Sequence, residues 1–252
     1  MVIQYCSDLH LEFKENREYM KSNPISAIGD ILVLAGDIVP FAVMDKHKDF
    51  FSYVADHFSA IYWLPGNHEY YYSDIADKSG VLNEKIRGNV FLVNNTSVDY
   101  EDIRLIFSTL WSTINPVNQW HIEHGMNDFQ VIKFKGKRFS VPVYNQLHAE
   151  SRDFIQAQLN NKRTGKTVVI THHVPTFQNY PVRYKNDILS EAFAVELFSL
   201  IEQTSPDFWI YGHHHTNGTS FKIGLTAMLT NQLGYVKYNE HQGFRPDQHI
   251  LL

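Results

Sequence analysis

Histidine, aspartate and asparagine recur in this chain at the ends of short apolar runs. "SDLH" carries Asp8 and His10, "AGD" carries Asp37, and "GNHE" carries Asn67 and His68. "THH" adds His172 and His173, and "GHHH" adds His213, His214 and His215. Imidazole, carboxylate and amide oxygen without a thiolate suit borderline or hard divalent ions such as Mn, Fe, Zn or Co. Residues two apart in extended backbone point the same way, so Asp8 and His10 are expected to reach one point together. His213 and His215 are expected to do likewise, with His214 directed elsewhere. A histidine triplet by itself is as readily a solvated loop, so its meaning depends on partners from other segments.

The runs that precede these residues read as buried strands: Val2 to Cys6, Ile31 to Gly36, Ala60 to Gly66, Thr167 to Thr171 and Phe208 to Gly212. Near-continuous Val, Ile and Leu without alternation predicts strands covered on both faces. Ligands in layered α/β folds bind at the carboxyl ends of such strands. Helical stripes lie between them: Phe51, Val54, Ala55 and Phe58; Phe193, Leu197, Leu200 and Ile201; and Leu147, Phe154 and Ile155. Shorter strands are expected between Val90 and Ser108, and a hairpin turning at Gly224. The stretch from about Trp111 to Pro142 shows little periodicity and no evident core role, which predicts a functional or irregular loop. Glycines 36, 66 and 212 are placed to let the backbone turn sharply.

With 44% hydrophobic and 19% charged residues, the 252-residue chain reads as one α/β domain over residues 1–252. A net charge of −5 argues against a partner such as long nucleic acid, but not against a small anionic substrate met by a local metal charge. The single cysteine, Cys6, permits no internal disulfide and fits a reducing compartment. Neither a secretory signal nor a membrane-length apolar run is visible, so a cytoplasmic protein is expected. Composition leaves the oligomeric state open.

Asp8-Leu9-His10, Gly36-Asp37, Gly66-Asn67-His68-Glu69, His172 and Gly212-His213-His214-His215 stand in the order D-x-H, G-D, G-N-H-D/E, His, G-H-x-H. In this the chain resembles the calcineurin-like metallophosphoesterase superfamily. "TLWSTI", "MNDF", "THHVP" and "NQLGY" further resemble an uncharacterised bacterial branch. The resemblance implies a four-layer α-β-β-α sandwich with two mixed sheets face to face. It also implies two divalent metal ions, Mn first, with Fe, Zn, Co or Ni as alternatives. Asp8, His10, Asp37 and His215 would hold one ion, and Asp37, Asn67, His172 and His213 the other, with Asp37 bridging. The implied reaction is hydrolysis of a small phosphomonoester, phosphodiester or cyclic nucleotide, by in-line attack of a metal-bridging hydroxide. Catalysis would fall to the Asp37 centre and to His68, as proton donor or electrostatic stabiliser at the leaving oxygen. Two ions carry four positive charges and Asp8 and Asp37 remove two, so a positive centre suited to a phosphoryl group remains.

Departures from known branches narrow this. No tyrosine follows Asp37 as in purple acid phosphatases. No acidic residue or arginine flanks the G-D and G-N-H-E blocks as in protein phosphatases, which leaves the partner of His68 unassigned. Tyr71, Trp111 and Tyr235 could line a substrate pocket or fill core. Arg183 and Lys185 could contact an anionic substrate or sit in a solvated loop. Glu69 is expected to order its loop, His214 to lie behind the ligands or at the surface, and His47, His57, His121 and His124 to be mainly exposed. A nuclease for short single strands and a non-catalytic phosphate-binding module are the alternatives; the filled ligand set ranks the module last.

Overall fold

The computed structural model describes residues 1–252. In chain order the first elements are β1 (Val2–Cys6), α1 (Lys14–Ser22), β2 (Ile31–Ala35), α2 (Lys48–His57) and β3 (Ala60–Leu64). β4 (Leu82–Arg87), β5 (Val90–Asn94), β6 (Thr96–Tyr100) and β7 (Ile103–Ser108) follow. α3 (Gln119–Gly125), α4 (Asp128–Val131), β8 (Lys133–Phe134), β9 (Lys137–Arg138) and α5 (Val141–Asn160) come next. The chain closes with β10 (Lys166–Thr171), α6 (Phe198–Thr204), β11 (Phe208–Ile210), β12 (Phe221–Ile223), β13 (Thr226–Leu229) and β14 (His249–Leu251).

Two six-stranded sheets result, ordered β14-β1-β2-β3-β5-β4 and β12-β13-β11-β10-β7-β6. Four central strands of each run parallel and the two edge strands antiparallel, so both sheets are mixed. One apolar layer lies between the sheets, where Ile3, Tyr5, Val33 and Leu64 meet Leu105, Phe107, Val168 and Ile210. The outer face of the first sheet, with Leu34 and Trp63, packs on Met20, Phe51 and Val54 of α1 and α2. Ile106, Val169 and Trp209 of the second sheet pack on Ile155 and Ile201 of α5 and α6. This is the four-layer sandwich. It explains the missing alternation: every residue of β2 and of β3 is buried, because each strand has a hydrophobic layer on both sides.

Two sequence expectations change. The stripe from Phe193 to Ile201 is helical only from Phe198; before it, the Phe193 carbonyl and the Val195 N–H bond to Val174, so extended pairing takes these residues first. The stretch from Trp111 to Pro142 is no coreless loop. Its Trp111, Ile114, Ile122, Phe129, Ile132 and Phe139 form a fourth apolar cluster with Tyr70, Tyr144 and Leu147. Its helices have seven and four residues, too short for a helical period to show. α1, β4 and β14 were not foreseen; β14, three residues long, pairs with β1 and brings Leu251 opposite Val2.

Candidate metal centre

The strands end before the donors begin. β1 stops at Cys6, and Asp8 and His10 follow with φ of 57° and 46°. Asp37, His213 and His215 are likewise left-handed, with φ of 55°, 78° and 49°. Convergence thus comes from left-handed turns, not from the strand pleat that the spacing suggested. Each such turn costs about 1–3 kcal/mol and persists only where its surroundings enforce it. Here backbone bonds from Asp8 N to the Gly36 carbonyl and from His10 N to the Asp37 carbonyl, both 2.9 Å, lock two loops together. Glu69 locks the third. Its carboxylate accepts from the backbone N–H groups of Asp37, Ile38 and Gly66 at 2.9, 2.7 and 2.7 Å, and from Trp63 Nε1 at 3.0 Å. That is the loop-ordering role expected of it. Burial and then the Asp37 charge push its carboxyl up to about 7, against those hydrogen bonds. Gly36 supplies a φ of 93°. Gly66 serves close approach instead, since a Cβ there would come within 2.3 Å of Asp37 Oδ1.

Seven donor residues gather into two groups that share Asp37. On one side His10 Nε2 lies 3.0 Å from His215 Nε2 and 3.9 Å from Asp37 Oδ2, and Asp8 Oδ1 lies 3.3 Å from His215 Nε2. On the other, His172 Nε2 lies 3.3 Å from Asp37 Oδ2, 3.2 Å from Asn67 Oδ1 and 3.2 Å from His213 Nδ1. Donors about 2.1 Å from one ion stand roughly 3.0–3.4 Å apart at right or tetrahedral angles and up to about 4.2 Å when opposite, so these separations fit a divalent cation in each group.

The outward nitrogens make the stronger case. His10 Nδ1 is held by Glu12 at 3.3 Å, and His215 Nδ1 by Glu240 at 2.7 Å. His172 Nδ1 donates to the Ala35 carbonyl at 3.0 Å, and His213 Nε2 to that of Ala192 at 3.3 Å. An outer acceptor fixes the tautomer of each ring and turns its lone pair inward, the usual support of a metal-bound imidazole. Four inward lone pairs and three oxygen donors, nearly all excluded from water, suit divalent cations. Burial opposes charge on Asp8 and Asp37, yet His215 and His172 respectively hold both carboxyls below their usual range. Burial, more than the nearby His215 and Arg183, pushes His214 down to about 4.

His68 sits beside the shared aspartate, its backbone N–H bonded to Asp37 Oδ1 at 2.9 Å. The partner that sequence left unassigned is Glu12, whose Oε1 lies 3.0 Å from His68 Nδ1. One carboxylate therefore steadies both His10 and His68. Burial opposes its charge, but the two imidazoles bring it down to about 2. The available signal was its place in "DLHLE", two residues beyond His10. Asp128 was missed as well. Its Oδ1 accepts from Asn67 Nδ2 at 2.9 Å, which turns the amide oxygen toward His172, and from Tyr71 OH at 2.7 Å. It lies in the "MNDF" segment, inside the supposed loop.

Of the candidate substrate residues, Tyr71 and Tyr235 line a cavity of about 310 Å³ over the donors. Tyr71 stacks on His68 with ring centroids 4.0 Å apart, and Tyr235 OH lies 3.5 Å from His68 Nε2. Trp111 does not line it. Only 2% exposed, it packs on Tyr70, Phe139 and Tyr144 and is core. Arg183 is exposed outside the wall, over the Tyr184 ring and 3.3 Å from Thr216 Oγ1. His173 is fully buried against the His213 ring, and His214 is buried behind the donors on Gln232. His47 is buried too, unlike the exposed His57, His121 and His124.

The profile of the calcineurin-like phosphoesterases matches residues 1–217. An uncharacterized protein of Acanthamoeba polyphaga mimivirus is 32% identical over 278 residues, covering 99% of this chain and 96% of that one. The solved phosphopantetheinyl hydrolase of Mycobacterium tuberculosis superposes with a TM-score of 0.71 at 15% identity, over 99% of this chain and 95% of that chain.

Proposed function

Since the chain belongs to the calcineurin-like phosphoesterase family, and so to the metal-dependent hydrolases of phosphoric esters, we propose that it works through two divalent cations sharing Asp37. Manganese is the ion we favour, and a small monoester, diester or cyclic nucleotide the substrate. The observation that carries this reading is the set of four outward-anchored imidazoles, whose inward nitrogens divide between two groups with Asp37 common to both. Bound there, the ions would supply Lewis-acid polarisation of the phosphoryl oxygens and a lowered pKa for water.

The chain's own residues do the rest. Asp8, His10, Asp37 and His215 form one cradle; Asp37, Asn67, His172 and His213 form the other. Asp128 keeps the Asn67 oxygen turned inward. His68 faces the cavity through Nε2 while Nδ1 stays with Glu12. Burial disfavours its charged form, but Asp37 and Glu12 outweigh that and raise its pKa. The imidazolium donates its Nε2 proton to the departing alcohol oxygen, and Tyr71 keeps the ring in plane.

We take residues 1–252 as one domain, supported by the pairing of β1 with β14. The single buried cysteine supports a reducing, cytoplasmic setting. No helix is long and apolar enough to cross a membrane. The test is an assay with added Mn²⁺ on a monoester, a diester and a cyclic nucleotide, each with and without chelator. Chelator-sensitive release from at least one supports the reading. Turnover that survives metal stripping contradicts it.

A further inference from the structure

The cavity above the donors has a one-sided electrostatic character. Its upper wall is aromatic and apolar, built from Tyr71, Met126, Tyr180, Tyr184, Phe193 and Tyr235. No lysine or arginine contributes to it, whereas Asp187 and Glu240 both do. Glu240 is engaged, accepting from the Tyr235 N–H at 2.8 Å and facing His215 Nδ1. Asp187 is exposed. Its Oδ1 caps Leu189 N at 2.9 Å, and no cation pairs with the carboxylate. Tyr71, Tyr180 and Tyr235 contribute neutral phenols to this surface. Arg183, exposed over the Tyr184 ring, stands outside the wall.

Taking the floor as the phosphoryl site proposed above, we infer that the organic part of the substrate is uncharged or cationic and presents a flat or apolar group. The scissile phosphoryl is then its one anionic centre. Cations at the floor would meet that phosphoryl. A second anion held against the wall would find no lysine or arginine there and would face the like charges of Asp187 and Glu240. Aromatic faces instead reward a flat or cationic group. Polyphosphates, oligonucleotides and distal carboxylates are thereby selected against.

The test compares two aryl groups of matched shape, para-carbamoylmethylphenyl and para-carboxymethylphenyl, each as phosphate monoester and as methyl diester. The methylene insulates the ring, so leaving ability is nearly equal and only the distal charge differs. With Mn²⁺-loaded protein, the neutral compound of whichever series is cleaved is expected to show kcat/KM about ten-fold above the anionic one. Asp187→Asn keeps a capping oxygen for Leu189 but removes the charge, and is expected to shrink that ratio several-fold. Equal or preferred cleavage of the carboxylate overturns the inference. If Arg183→Ala then abolished that preference, Arg183 would be the anion anchor and the wall's charge irrelevant. Failure to cleave all four compounds, with or without added metal, would overturn the hydrolase reading itself, and this inference with it.

Discussion

The floor and the wall of the cavity are made in different ways. The floor is built from loops that follow strand ends directly, each donor within a few residues of a buried strand, five of them in left-handed backbone. The wall comes from longer excursions: the segments around Tyr71, Met126, Tyr180–Phe193 and Tyr235, which owe their positions to packing between distant pieces. Floor geometry is enforced locally by the backbone and by Glu69. Wall geometry at Tyr71, Met126 and Phe193 depends on the cluster containing Trp111, Phe129 and Tyr144. The two halves should therefore fail differently, the floor by losing chemistry and the wall by losing stability.

Asp37→Ala gives the largest expected effect. With the shared carboxylate gone, each group loses one of its four donors and nothing joins the two, and chelator-sensitive turnover should fall to background while circular dichroism still reports a folded protein. Retained turnover with two bound ions would break the distinction from the floor side. Trp111→Ala attacks the other half. Truncating a buried tryptophan costs about 3–5 kcal/mol, so the thermal midpoint should drop by on the order of ten degrees, with Mn²⁺ still bound in the cold. A stable Trp111→Ala variant with damaged catalysis would instead make Trp111 a site residue.

Mn²⁺ itself should stabilise the wild-type protein. At about a hundred times the dissociation constant, binding adds roughly 2.7 kcal/mol, or about 5–10 °C in a chain of this size, removed again by chelator. Glu12→Gln sharpens the comparison within the floor. An outer carboxylate typically contributes about 10–100-fold in affinity or activity. Because Glu12 holds His68 as well as His10, the loss should be greater on an alkyl phosphate ester than on a nitrophenyl one. Equal losses on both would assign Glu12 to His10 alone.

Legibility in the sequence follows the same division. Apolar runs ending in Asp, Asn or His marked five of the strands, β1, β2, β3, β10 and β11, and pointed to the seven candidate donors, because each sits beside the element that carries it. The reason for their convergence was not legible: the spacing in "SDLH" suggests a pleat, while the chain uses φ near 50° at both Asp8 and His10. Glu12 was within reach, two positions past a donor, but its bond to His68 joins residues 56 apart in the chain. Asp128 and the role of Trp111 were hidden because Asp128 sits in a four-residue helix and Trp111 in irregular chain, neither of which leaves a period, so only the assembled cluster shows what they hold.

The shared aspartate is tested most directly by anomalous diffraction from crystals grown with Mn²⁺. Two peaks about 3.5–4 Å apart, with one Asp37 oxygen between them, are predicted. A single peak, or two peaks of which Asp37 touches neither, would contradict it.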